Sequence, residues 1–231
     1  MKRRFGLSPA VMVAVGAFVF QLSAQAISLS SLDTFATSNE GWKIGGAGVQ
    51  PAQVSGLGPD SQIGYLSHFS DGSSSNGKWL MWNDGADWQG NYITAGVTGI
   101  SLAANVSSGV SPVSMRIAFD GPGGWFHSST VSVGAGWNTY SFSLIPSDFT
   151  HVSAGGGSGA FSDTMASVTR FEVFSGAGAV SYRSGGDILQ AGTSTNTILI
   201  DNIAAIPEPS TNALLLMAGA GALWWVRRRR V

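Results

Sequence analysis

At 231 residues, with 32 glycines, no cysteine and only 11% charged side chains, the chain lacks the charge density of a coiled coil or a disordered acidic tail. Hydrophobic residues make up 44% and tryptophan occurs eight times, enough to build a sizeable core in one domain or at most two. Seven of the 12 Lys and Arg lie in the tails, so residues 27–206 hold five cations against twelve carboxylates. That middle carries a net −7, which repels phosphate backbones and argues against nucleic acid as a partner.

Lys2-Arg3-Arg4 precedes an apolar run over residues 10–20, and Ala24 and Ala26 place small side chains at the −3 and −1 positions of a cleavage site. This order predicts a secretory signal peptide over 1–26 and an exported domain beginning at Ile27. An uncleaved anchor is the alternative, but the run is short for a bilayer. An exported domain without cysteine has no disulfides, so packing or a bound metal must supply its stability.

From 27 to 206, short alternating runs are separated by Gly, Ser, Asn and Asp, and no twelve-residue window carries a helical period. Strands are predicted at 27–35, 63–69, 79–82, 97–103, 113–119, 138–144, 168–174 and 197–203, with one helical turn at 163–166. In 113–119, Val113, Met115, Ile117 and Phe119 alternate with Ser114, Arg116 and Ala118, the period of a half-buried strand. Many strands, glycine-rich turns and no strand–helix alternation predict an all-β antiparallel sandwich or jelly roll. The glycine stretches at 155–157 and 184–186 read as loops.

One fourteen-residue stretch gathers Trp79, Trp82, Asp84, Asp87, Trp88 and Tyr92. Indole faces pack on pyranose rings and carboxylates accept hydroxyl hydrogen bonds, so this cluster is the candidate glycan-binding site. The alternative is that the tryptophans are core residues and Asn83-Asp84-Gly85 an ordinary turn. Catalytic patterns are absent: there is no cysteine, no Gly-x-Ser-x-Gly, no His-Glu-x-x-His, and His68, His127 and His151 are scattered. A non-enzyme is expected.

At the C-terminal end, Pro207-Glu208-Pro209 leads into residues 213–226, which carry no charge, and then Arg227, Arg228, Arg229 and Arg230. Fourteen helical residues rise about 21 Å against a hydrocarbon core of about 30 Å, a marginal transmembrane helix that arginine stems can extend. The four arginines orient it with the domain outside.

The order Pro-Glu-Pro, apolar segment, arginine cluster resembles the PEP-CTERM sorting signal of Gram-negative bacteria. The resemblance implies processing by an exosortase, a membrane cysteine protease-transpeptidase, through an inner-membrane intermediate, and delivery to the cell surface or extracellular matrix. A second resemblance rests on Asp33 with Glu40-Gly41-Trp42, on Trp88-Gln89-Gly90-Asn91-Tyr92, and on Ile200-Asp201-Asn202-Ile203. These are similar to laminin B-type domains and carbohydrate-binding jelly rolls of the galactose-binding fold. That likeness implies a structural Ca²⁺ between Asp33 and Asp201, with Asp60 a further candidate ligand; the alternative is a pair of solvated or capping aspartates. The sequence thus predicts an exported, non-catalytic surface or matrix protein, with a module recognising an exopolysaccharide as its rival.

Overall fold

The computed structural model describes residue 27 and residues 31–208, apart from 46–48, 62, 73–78, 110, 184–187 and 191–194. The expected signal peptide with Ala24 and Ala26, the 213–226 segment, Pro209 and the four arginines lie outside the described residues. Among those described, no helix is long and apolar enough to cross a membrane.

In chain order the strands are β1 (Leu32–Asp33), β2 (Lys43–Ile44), β3 (Ala52–Leu57), β4 (Ile63–Ser70), β5 (Leu80–Asn83), β6 (Val97–Gly109), β7 (Val113–Asp120) and β8 (Trp125–Ser128). They continue with β9 (Val131–Val133), β10 (Asn138–Ser143), β11 (Phe149–Val152), the helical turn α1 (Phe161–Ala166), β12 (Arg170–Ser175), β13 (Ser181–Arg183), β14 (Ile188–Gln190) and β15 (Asn196–Pro207). Two antiparallel sheets face each other. One runs β10-β6-β15-β4-β3 with β1 added to β15; the other runs β11-β8-β7-β12-β5-β2 with β9 added to β7. The expected all-β antiparallel sandwich is therefore the observed fold.

The alternation that marked residues 113–119 does the work expected of it. Val113, Met115, Ile117 and Phe119 are buried between the sheets, while Ser114 and Arg116 turn outward. Strand β12 breaks that rule, because all of Phe171 to Ser175 is buried. Its outward side chains are covered by a hairpin of β13 and β14, whose Tyr182 and Leu189 join Leu80, Trp82, Ala118, Trp125 and Phe174 in a second, smaller core. The loop expected at 184–186 lies outside the described residues.

Strand β15 is the spine of the first sheet, paired with β6 on one side and with β4 and β1 on the other. Its ladder shifts register between Asp201 and Ala204, where Asn202 adopts a φ of +49°. Close backbone approach fixes another position. Gly64, at φ +103°, would place a Cβ 2.3 Å from the Phe35 carbonyl oxygen, so no larger residue fits.

Candidate functional site

The aromatic cluster read from 79–92 divides between the core and the rim. Trp79, Trp88 and Tyr92 are buried, at most 1% exposed, so the continuous sugar platform expected of them is corrected to a core role. The physical reason is register and turn geometry. Leu80 and Trp82 in β5 point away from the main core, so Met81 and the flanking Trp79 point into it. A single 3-10 turn, Ala86–Trp88, then folds Trp88 inward.

Each buried ring finds a polar partner, as a large amphipathic side chain must. The Trp79 Nε1 donates to the His68 carbonyl at 3.1 Å. The Tyr92 hydroxyl donates to the Trp88 carbonyl at 3.0 Å. Trp88 donates to Asp33 Oδ2 at 2.7 Å, and Trp42 donates to the same oxygen at 2.6 Å. Phe171 lies 5.5 Å from Trp42 and 5.0 Å from Trp88, and stacks on Phe119 at 5.1 Å. The sequence pieces Asp33, Glu40-Gly41-Trp42 and Trp88 are thus one internal node that ties β1 to the opposite sheet.

Charge is concentrated at that node. Burial pushes the Asp33 carboxyl above its ordinary value, although the two indole donors act against it. Glu40 accepts from the Phe35 amide at 3.2 Å, while its Oε2 is buried without a partner. Burial, and then the charge on Asp33, push Glu40 up to about 7.

Trp82 and Asp84 sit on the outer side of the second sheet. Lys43 Nζ lies 4.6 Å from the Trp82 ring centroid and Arg170 Cζ lies 4.4 Å from it. Lys43 also pairs with Asp84 at 2.6 Å, both side chains about one-third exposed. The Trp82 indole donates to the Gly45 carbonyl at 2.9 Å. Beside this strip Glu172 is buried under the hairpin and accepts from the Leu189 amide at 3.1 Å. Lys43, Arg170 and Glu172 were not singled out from the sequence, because β2 is too short to carry a period and β12 is buried on both faces. Asp87 is exposed, at the rim of the Asp33 node.

The two aspartates expected to hold calcium have different surroundings. Asp33 registers against Ile203 in the β1–β15 pair, and its charged neighbours are Glu40 and Asp87. Asp201 is fully buried; its Oδ1 accepts from the Asn202 amide at 2.8 Å and its Oδ2 has no partner. Burial pushes Asp201 up to about 6. Among the described residues no three His, Asp or Glu side chains gather in a metal-binding group. Calcium takes six to eight oxygens. Asp33 does not fit that role, since its Oδ2 is spent on two indoles, whereas the orphaned Oδ2 of Asp201 does. The side chain of Asp60 lies outside those described.

The sorting motif begins inside the fold. Pro207 closes β15 opposite Val97, and the Glu208 amide donates to the Gly96 carbonyl at 2.8 Å.

With this geometry in view, the comparisons fall into two steps. The two-sheet architecture is similar to that of jelly-roll carbohydrate-binding modules. The CBM22-1–GH10 modules of endo-1,4-beta-D-xylanase 10B from Clostridium thermocellum, solved with xylohexaose, superpose with a TM-score of 0.50 at 13% identity over 80% of this chain. This chain spans 30% of that xylanase chain. The CBM22-1 xylan-binding domain of a Paenibacillus barcinonensis xylanase gives 0.46 at 11% identity, covering 80% of this chain and 99% of that one. The family 11 carbohydrate-binding module from Clostridium thermocellum gives 0.45 at 14%, covering 73% and 85%. At these identities the likeness concerns the fold alone.

Residues 205–230 match the PEP-CTERM protein-sorting motif, which marks the protein as exported. No curated protein matches the chain.

Proposed function

We propose that the chain is a non-catalytic β-sandwich carried to the cell surface or extracellular matrix by its C-terminal signal, with an exosortase as processing enzyme and the inner membrane as a transient station. The observation that carries this reading is continuity. The motif matched over 205–230 overlaps the last three residues of β15, the central strand of the first sheet, so the matched signal begins within the folded domain. Fractionation of cells carrying the full chain or a chain ending at Glu208 tests it. The full chain is expected at the surface or in the matrix and the shortened one free in the periplasm. Identical distribution of both would overturn the reading.

Recognition of an exopolysaccharide is the second reading, supported by the one-third-exposed Lys43–Asp84 pair beside Trp82. Carboxylate and ammonium groups bind sugar hydroxyls. Affinity electrophoresis in polysaccharide gels is expected to show retardation that Asp84→Ala removes without unfolding the domain. A parent protein that migrates freely in every gel would sink this reading.

A structural calcium belongs to the same proposal through Asp201 rather than Asp33. A buried carboxylate with one oxygen unsatisfied is costly once ionised, and a divalent cation with backbone oxygens would remove that cost.

A further inference from the structure

Strand β15 leaves the fold at one end of the sandwich, where the start of β6 and the end of β10 also meet. There Ile93, Val97, Leu144, Ile145 and Glu208 line one open groove, which continues into an apolar cleft between Leu144 and Phe161. Ile93 and Ile145 are 57% and 55% exposed, and among the described residues no Lys or Arg lines the groove. Side chains of this size are buried in most domains, so two of them beside the chain exit call for a partner.

We propose that this end of the sandwich seats on a lipid bilayer, with Ile93 and Ile145 entering the headgroup and glycerol layer. The proposal rests on the reading of residues 213–226 as a membrane span. Glu208 is held to the groove by its hydrogen bond to Gly96, and only residues 209–212 separate it from the apolar segment. At about 3.3–3.6 Å per residue, the five steps from 208 to 213 reach at most about 18 Å. A span in the bilayer therefore keeps the groove within that distance of the interface.

Charge selects the kind of lipid. Glu208 in the groove and Asp148 on the adjoining turn, with no cation lining the groove, favour a zwitterionic surface over an anionic one. Two isoleucines are too little to hold a free domain on a membrane. The short tether raises their effective concentration at the interface and makes the contact persist. The far end of β15, where Thr197 registers against Ser108, then stands ten residues, about 33 Å, further out.

The natural absence of cysteine allows single-site labelling of the full chain. An environment-sensitive fluorophore is placed at Ile145→Cys, at Ile93→Cys or at the exposed Ser108→Cys, and each protein is reconstituted into phosphatidylcholine vesicles. A shallow lipid-borne nitroxide is expected to quench the labels at 145 and 93 several-fold more than the label at 108. Equal quenching at the three sites, in protein that floats with the vesicles, overturns the seating and leaves the span intact. So does a label at 145 shielded from both lipid nitroxide and aqueous iodide, the result expected if residues 213–226 or a second copy filled the groove. Protein that does not float with vesicles at all removes the span and this proposal together.

Discussion

Trp88 donates its indole N–H to Asp33 Oδ2 at 2.7 Å across 55 residues of sequence, and both groups are buried. Trp42 shares the acceptor at 2.6 Å. One carboxylate oxygen thereby satisfies two donors that would otherwise be stranded in the core. Asp33→Ala leaves both indoles unpaired, at about 1–3 kcal/mol for each buried unsatisfied group. Urea unfolding followed by tryptophan fluorescence is expected to record a loss of about 2–6 kcal/mol. Asp33→Asn keeps an acceptor oxygen and is expected to lose less.

Trp88 contacts Trp42 and Phe171 and is fully buried, so Trp88→Ala opens a cavity. Truncation of a buried Trp costs about 3–5 kcal/mol. Trp82→Ala, at the edge of the smaller core, is expected to cost clearly less in the same denaturation experiment. Equal losses would mean that the two rings have equivalent surroundings.

The raised carboxyls give the domain an unusual pH dependence. Glu40 is pushed from 4.5 to about 7 and Asp201 from 3.8 to about 6, with Asp33 raised as well. Between these limits the native state binds more protons than the unfolded one, so stability falls as pH rises. The contribution is fully present below about pH 4 and is lost through pH 6 to 7. Thermal melts in the presence of chelator are expected to give a higher Tm at pH 5 than at pH 8. Glu40→Gln is expected to flatten the upper part of that slope.

Calcium bound at Asp201, as proposed, would act on the same group in the opposite sense, since it would hold the carboxylate ionised. At a free concentration of 100 times its Kd, a ligand bound only by the folded state stabilises it by about 2.7 kcal/mol. Chelation at pH 8 is expected to lower the Tm of the parent protein. Asp201→Asn should abolish that sensitivity, and Asp33→Asn should retain it. Melts that ignore the chelator would remove calcium from the proposal.

The ends of the mature chain are also predicted. The small residues Ala24 and Ala26 set the expected N-terminus at Ile27. At the other end, Pro207 is registered in β15 and the Glu208 amide is engaged by Gly96, so a protease that binds an extended peptide has access only beyond Glu208. Intact-mass measurement of the surface-exposed protein is expected to give a chain that starts at 27 and retains Glu208. A terminus inside β15 would mean that the strand peels away before cleavage.

The sequence by itself determined what depends on local order. Period-two alternation at Val113 to Phe119 and from Ile198 to Ile200 fixed strands, because side chains on successive residues face opposite sides of a sheet. The sorting signal was equally legible, since its parts are contiguous in the chain. Short strands such as β2, β8 and β9 were not, because two to four residues carry no period. Only the tertiary structure decided the fate of the tryptophans. Trp82 and Trp88 read alike in sequence, each within two residues of an aspartate. Trp88 is drawn inward because Asp33, 55 residues away, supplies an acceptor in the core, while Trp82 stays at an edge because β5 pairs with β2 and β12 and brings Lys43 and Arg170 to its ring. Long-range pairing selects the environment of a side chain, and no local pattern encodes it.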